Sequence, residues 1–399
     1  MNNTLRFLSL ALVGVAAFPA CSSSNSAAKD AGTGGAGTGG AGGTGGGGTD
    51  AAVTDTGGGD AMMGIKSNTA PYPTIGSIEK LDPELDMVIA ATAKIDVLAD
   101  GFVWSEGPLW VPTKNFLLFT DVPKDTIYKW QEGQGVSVWL SPAGCLSAGC
   151  KSLPEPGANG LTLDKDGGLL MCQHGERRVA KLASIDMPNA AQTVVVDKYM
   201  GKPFNSPNDL VVHKSGSIFF TDPPYGSMTQ MPTDPALVPP AGIGFLGVYR
   251  WDPATMMLSV IDDKVDRPNG IAFSPDQTKL YVASSDDVKP IWMEYTLNAT
   301  LGVASSKVFF DAKTLPASTP PRVGGNDGIA VDAKGYIFAT GPGGVLIFNP
   351  AGKHLGNILT TERTSNNKLG GADGKTLFMT ADRYLLRVQT LNPVAPPPP

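Results

Sequence analysis

The chain has 399 residues, 42% of them hydrophobic, with 31 Lys and Arg against 37 Asp and Glu for a net charge of −6. The basic residues are scattered rather than clustered, which excludes the electrostatic footprint of a nucleic-acid binder. The apolar content supports one sizeable folded domain, but not across the first 70 or so residues.

Met1 to Ala20 reads as an export signal, with Arg6, an apolar run over 7–18 and small Ala20 ahead of Cys21. The run is too short to span a membrane as a helix. Cys21-Ser22-Ser23-Ser24 marks a candidate lipidated cysteine of the bacterial cell envelope, with periplasmic or secreted soluble protein as the alternative. The only membrane contact expected is through Cys21. Residues 21–70 are dominated by Gly, Ala, Thr, Ser and Asp and cannot bury enough apolar surface to offset their ordering, so they read as a flexible tether. A Gly-rich chain of that length has an end-to-end distance of about 40 Å. Residues 71–392 are globular in composition, and 393–399, closing on Pro396 to Pro399, read as an extended tail.

Within the globular part a short helix is expected over 82–91, and almost every other strong segment reads as strand. The runs 115–120, 217–221, 279–283 and 336–340 are rich in β-branched and aromatic residues. Turn signals such as Asp166-Gly167, Ser215-Gly216 and Lys334-Gly335 stand before such runs. Asp164-Lys165-Asp166-Gly167 resembles the start of a calcium loop, but Gly175 occupies the place of the closing Glu, so it reads as a hairpin turn. Cys145 and Cys150 flank a short Gly-containing loop and are expected to be bonded in an oxidising compartment. Cys172 is expected as a buried free thiol.

One short theme recurs six times between Glu106 and Gly371. The copies begin Ser105-Glu106-Gly107, Ala158-Asn159-Gly160, Pro207-Asn208-Asp209, Pro268-Asn269-Gly270, Asn326-Asp327-Gly328 and Ser365-Asn366-Asn367. Their spacing of roughly 40 to 60 residues is that of propeller blades, and the fold class expected is an all-β, six-bladed β-propeller with a metal site at the central channel. Such a fold gathers equivalent positions into a ring. Each Asn-Gly or Asp-Gly pair is, taken alone, also a favoured turn dipeptide.

Ser105-Glu106-Gly107-Pro108-Leu109-Trp110, Ser206-Pro207-Asn208-Asp209, Arg267-Pro268-Asn269-Gly270 and Asn326-Asp327-Gly328, in that order, resemble the gluconolactonase/regucalcin (SMP-30) family. Cys172-Gln173-His174-Gly175-Glu176-Arg177, Phe220-Thr221-Asp222-Pro223-Pro224-Tyr225-Gly226 and Ala339-Thr340-Gly341-Pro342-Gly343-Gly344 are similar to its bacterial gluconolactonase-like branch. The resemblance covers about residues 95 to 390. It implies one divalent metal held by Glu106, Asn208, Asn269 and Asp327. Such a hard, all-oxygen set suits Ca²⁺ and tolerates Mg²⁺ or Mn²⁺.

Asn159 and Asn366 hold the same slot in the other two blades and are expected to line the channel and bind substrate. His174 and Tyr225 are expected beside them, and Asp209 is expected to orient the site. His213 and His354 follow no channel motif and are expected to face solvent. Where regucalcin-like members carry an Arg for sugar-acid recognition this chain has Ser206, and Ser284-Ser285 replace a frequent Asp. The reaction expected is hydrolysis of a lactone or similar cyclic ester by a monomer acting on a small molecule. The metal holds the carbonyl oxygen, Asp327 serves as general base or nucleophile, and His174 is the reserve base. Organophosphate or ester hydrolysis on the same scaffold, or a displayed binding propeller with a structural metal, are the alternatives.

Overall fold

Each repeat folds as an antiparallel sheet whose second strand is a continuous apolar run because both of its faces are covered. Leu169–Gln173, Ile218–Asp222 and Ile337–Gly341 are buried along their whole length. The computed structural model describes residues 64–227, 242–318 and 320–395. The signal 1–20, Cys21, the tether up to residue 63 and the terminal prolines lie outside them.

Six sheets form the blades. Their inner strands are Ser105–Val111 (blade 1), Ala158–Leu163 (blade 2), Leu210–Val212 (blade 3), Pro268–Phe273 (blade 4), Ile329–Val331 (blade 5) and Asn366–Gly370 (blade 6). The core lies between neighbouring blades. Leu109 and Leu118 of blade 1, for example, pack with Leu161, Met171 and Ala180 of blade 2, as facing sheets do when inward residues interdigitate.

The ring is closed by the start of the described chain. Blade 6 takes its fourth strand from Ile95–Asp100, which pairs with Tyr384–Gln389, and Lys66–Ser67 and Thr74–Ile75 cover that strand's outer edge. Ser77–Lys80 adds a fifth strand to blade 5. The paired elements therefore begin ahead of residue 71, and Ile65 and Tyr72 pack on a core cluster. The helical segment expected over 82–91 is a 3₁₀ turn, Pro83–Met87, capped by Asp82 accepting from the Glu84 amide.

Cys145 and Cys150 are disulfide-bonded, with Cα atoms 5.6 Å apart, and Cys172 is a buried free thiol. Asp164 Oδ1 accepts from the Asp166 and Gly168 amides, closing a hairpin turn as expected. His213 departs from expectation: it is buried, its Nδ1 accepts from the Ser215 amide, and its ring meets the edge of Phe273. His354 is half-buried, bonded to Asn357 and packed on Phe348. An imidazole carries enough apolar ring to fill a gap between blades, which a motif search does not register.

Candidate active site

The inner strands run in the same sense along the channel, so the first residues of all six repeats meet at one mouth. A cavity of about 330 Å³ opens there, and Glu106, Asn159, Asn208, Asn269, Asp327 and Tyr225 line it. The Gly that follows most of these residues answers to blade spacing rather than to a turn. A Cβ on Gly107 would lie 2.0 Å from the Asn159 carbonyl oxygen, and one on Gly270 would lie 2.1 Å from that of Asp327. Hydroxyls stitch the same contacts. Thr221 Oγ1 donates to the Asn269 carbonyl at 2.7 Å, and Ser365 Oγ to the Ser105 carbonyl at 2.6 Å across the closure between blades 6 and 1.

Two buried carboxylates hold the segments leading into the ring. Asp121 accepts from the Val103 and Trp104 amides just ahead of Glu106. Asp222 accepts from the Asn205 and Ser206 amides at 2.9 and 2.7 Å, just ahead of Asn208. Burial pushes the Asp222 carboxyl up to about 7, against the pull of these hydrogen bonds.

The ring oxygens themselves are uncommitted. Asn159 Oδ1, Asn208 Oδ1, Asn269 Oδ1 and Asp327 Oδ1 are buried without a hydrogen bond, although buried polar atoms are nearly always paired. For Asn269 the amide orientation has a cause: its Nδ2 donates to Ser285 Oγ at 2.9 Å, and Ser285 Oγ in turn donates to the Asn326 carbonyl at 2.5 Å. Glu106 Oε2 accepts from the Gly107 amide and from Asn366 Nδ2 at 3.3 Å.

Charge balance says what would complete the ring. Burial, and then the charges of the neighbouring acids, raise the carboxyls of both Glu106 and Asp327, because two negative charges are costly in so dry a place. Asp209 is also buried, and burial raises its carboxyl against the opposing pull of the Lys368 ammonium, which borders the cavity at the far end of the channel. Glu106 and Asp327 bring two formal negative charges to the ring, with Glu155 and Arg363 on the same cavity wall. A divalent cation with affinity for hard oxygen matches both the charge and the orphaned oxygens. The side chains offered at the ring are oxygen donors, with neither His nor Cys in the cavity lining, unlike the nitrogen and sulfur sets usual for zinc.

A model of the family described as SMP-30/Gluconolactonase/LRE-like region matches residues 104–383, which contain every ring residue. The chain belongs to this family. Among its relatives is a gluconolactonase of Zymomonas mobilis subsp. mobilis, 39% identical over 322 residues, covering 79% of this chain and 87% of that protein. Another is the lactonohydrolase oryL of Aspergillus oryzae, 23% identical over 361 residues, covering 83% and 79%. A solved gluconolactonase from Xanthomonas campestris superposes with a TM-score of 0.65 at 28% identity, covering 82% of this chain and 98% of that one. Regucalcin from Agrobacterium tumefaciens, a calcium-binding protein, shares the fold with a TM-score of 0.55 at 17% identity, covering 82% and 98%.

In this SMP-30/gluconolactonase-family chain, two expected substrate residues stand elsewhere than the cavity wall. Asn366 is turned to Glu106, and its Oδ1 accepts from the Asn367 amide. His174 is fully buried with neither ring nitrogen hydrogen-bonded, and its Nδ1 lies 3.5 Å from Glu155 Oε2. Glu155 itself lines the cavity, as do Trp104, Ser285 and Arg363. All four lie outside the short repeated theme; the one sequence signal for Glu155 is its place in Pro154-Glu155-Pro156, between the bonded cysteines and the second repeat. The cavity at the opposite end of the channel, about 220 Å³, is walled mainly by aliphatic side chains such as Val211, Ile271 and Ile329. None of its lining side chains carries an orphaned buried polar atom.

Proposed function

We propose that this chain hydrolyses a lactone or related cyclic ester, as its relatives named gluconolactonase and lactonohydrolase suggest, with one divalent cation held by Glu106, Asn208, Asn269 and Asp327. Ca²⁺ matches the donor set best, and Mg²⁺ or Mn²⁺ also suit it. The observation that carries the reading is the convergence on one cavity of orphaned oxygens from successive blades, beside the buried carboxyls of Glu106 and Asp327. When bound, the cation supplies positive charge for the carbonyl oxygen of the substrate.

The chain's own residues do the rest. Asp327 takes the proton of the attacking water. Asn159 presents a free Oδ1 to a substrate hydroxyl, while Tyr225 and Trp104 wall the cavity and limit the water that enters. The Lys368 ammonium offsets part of the charge of buried Asp209.

The test is turnover of a panel of aliphatic and sugar lactones followed by pH-stat, before and after chelation and on stepwise return of Ca²⁺. Activity falls on stripping and returns at one equivalent. Full activity in stripped protein refutes the cation, and no turnover of any lactone with Ca²⁺ restored refutes the reaction.

A further inference from the structure

Opening a lactone needs two proton transfers. Water forms a bond to the carbonyl carbon and gives up a proton; the bond from that carbon to the ring oxygen breaks, and this oxygen must gain one. Asp327 accounts for the first. We propose that Glu155 delivers the second, to the departing ring oxygen, with His174 as a positioning residue behind it. This rests on the lactonase reading above.

The loop over 141–157 is held by an unusual number of anchors, and Glu155 is the residue it contributes to the cavity wall. Asp125 Oδ1 accepts from the Ala143, Gly144 and Cys145 amides. Glu176 Oε1 accepts from the Leu146 and Ser147 amides at 2.9 and 2.6 Å. The disulfide closes the loop between them. Beyond Glu155, the His174 and Gly175 amides donate to the Gly157 and Pro156 carbonyls, both at 3.1 Å. The Glu155 backbone is therefore fixed against the strand end that bears His174.

The side chains complete the pair. From that fixed backbone the Glu155 carboxyl faces the cavity. His174 is buried on all sides, and Gly226 covers its ring so closely that a Cβ there would lie 2.4 Å from His174 Cβ. Its nearest charged group is Glu155, 3.5 Å from Nδ1. That separation is too long for a good hydrogen bond, but catalytic contacts tighten when substrate enters. After each turnover the proton on Asp327 returns to the Glu155–His174 pair, and the products are the hydroxy acid and the unchanged enzyme.

The experiment compares two lactones that differ in leaving group. An aliphatic δ-lactone expels an alkoxide, which needs protonation. The aryl lactone dihydrocoumarin expels a phenoxide, which does not. Glu155→Gln lowers kcat on the aliphatic lactone by about 100-fold or more and on dihydrocoumarin by far less, as removal of a general acid does. His174→Asn shows the same selectivity, smaller in size and in kcat rather than KM. Calorimetric Ca²⁺ binding and the thermal midpoint establish that both variants are folded, and Glu155→Asp is prepared as a second variant at the same position. Equal losses on the two lactones, or no loss on either, overturn the proposal. If wild-type protein turns over neither lactone, the lactonase reading falls first.

Discussion

Ser285 touches no substrate in the scheme above, yet it decides which face of the Asn269 amide the ring sees. Replacing it by Ala removes the acceptor of Asn269 Nδ2, 2.9 Å away, in a side chain only 4% exposed. An unpaired buried donor costs about 1–3 kcal/mol, and rotating the amide to relieve it would aim Nδ2 at the cation. We expect Ser285→Ala to bind Ca²⁺ about tenfold more weakly, equivalent to about 1.4 kcal/mol, at the low end of what outer partners of metal ligands contribute. Ser285→Thr keeps the hydroxyl and restores most of the loss. Calorimetric titration of stripped protein measures both. Wild-type affinity in Ser285→Ala, with Asn269→Ala strongly impaired, refutes the argument that this hydroxyl orients the ligand.

Asp327→Asn keeps an oxygen at the ring but removes the base, so lactone turnover is abolished while Ca²⁺ binding weakens only in part. Glu106→Gln weakens Ca²⁺ binding more than it lowers turnover at saturating metal; equal, metal-rescuable losses in the two variants leave Asp327 a ligand alone. Asp222, raised by burial to about 7 from an ordinary 3.8, holds its proton more tightly when folded, so its stabilisation is complete below about pH 4 and is lost as pH rises towards 7. Urea unfolding across that window should show Asp222→Asn losing less stability per pH unit than wild type, by up to roughly 1.4 kcal/mol per unit; parallel profiles refute the shift. A chain starting at residue 71 lacks the bonds from Val136 N to Ser67 Oγ, Asn68 Nδ2 to Val97 O and Asn68 N to Leu98 O. At about 1 kcal/mol each, it should unfold about 3 kcal/mol more easily than a chain starting at residue 64; equal urea midpoints mean that the edge pairing is idle.

The ring was legible because the fold repeats it: each blade restarts with the same few residues, so positions distant in sequence could be aligned before any was placed in space. The strand-turn-strand pattern of the blades, the bonded Cys145 and Cys150 and the buried Cys172 were legible for local reasons of pattern and compartment. Glu155 was not, because it reaches the cavity on a loop outside the repeat, and its importance lies in what anchors that loop. Asn366 shares the slot of Asn208 and Asn269, but its side chain is claimed by Glu106, a choice made by a neighbouring blade. The roles of Ile95–Asp100 and Ser77–Lys80 also escaped the sequence, since strand pairing with partners hundreds of positions away leaves no local period.

That distant pairing makes the molecule a hoop with a single clasp. Arg387 and Asp96, which meet across it, are 291 positions apart, and bringing such ends together costs on the order of 5 kcal/mol of chain entropy. The clasp cannot fasten until nearly the whole chain is available, so the fold is slow by topology. Fastening blade 6 also sets it against blade 1, where Asn366 donates to Glu106 at the inner strands. A cation bound as proposed to blades 1, 3, 4 and 5 would act as a rivet, its binding free energy resisting reopening of the hoop by mass action.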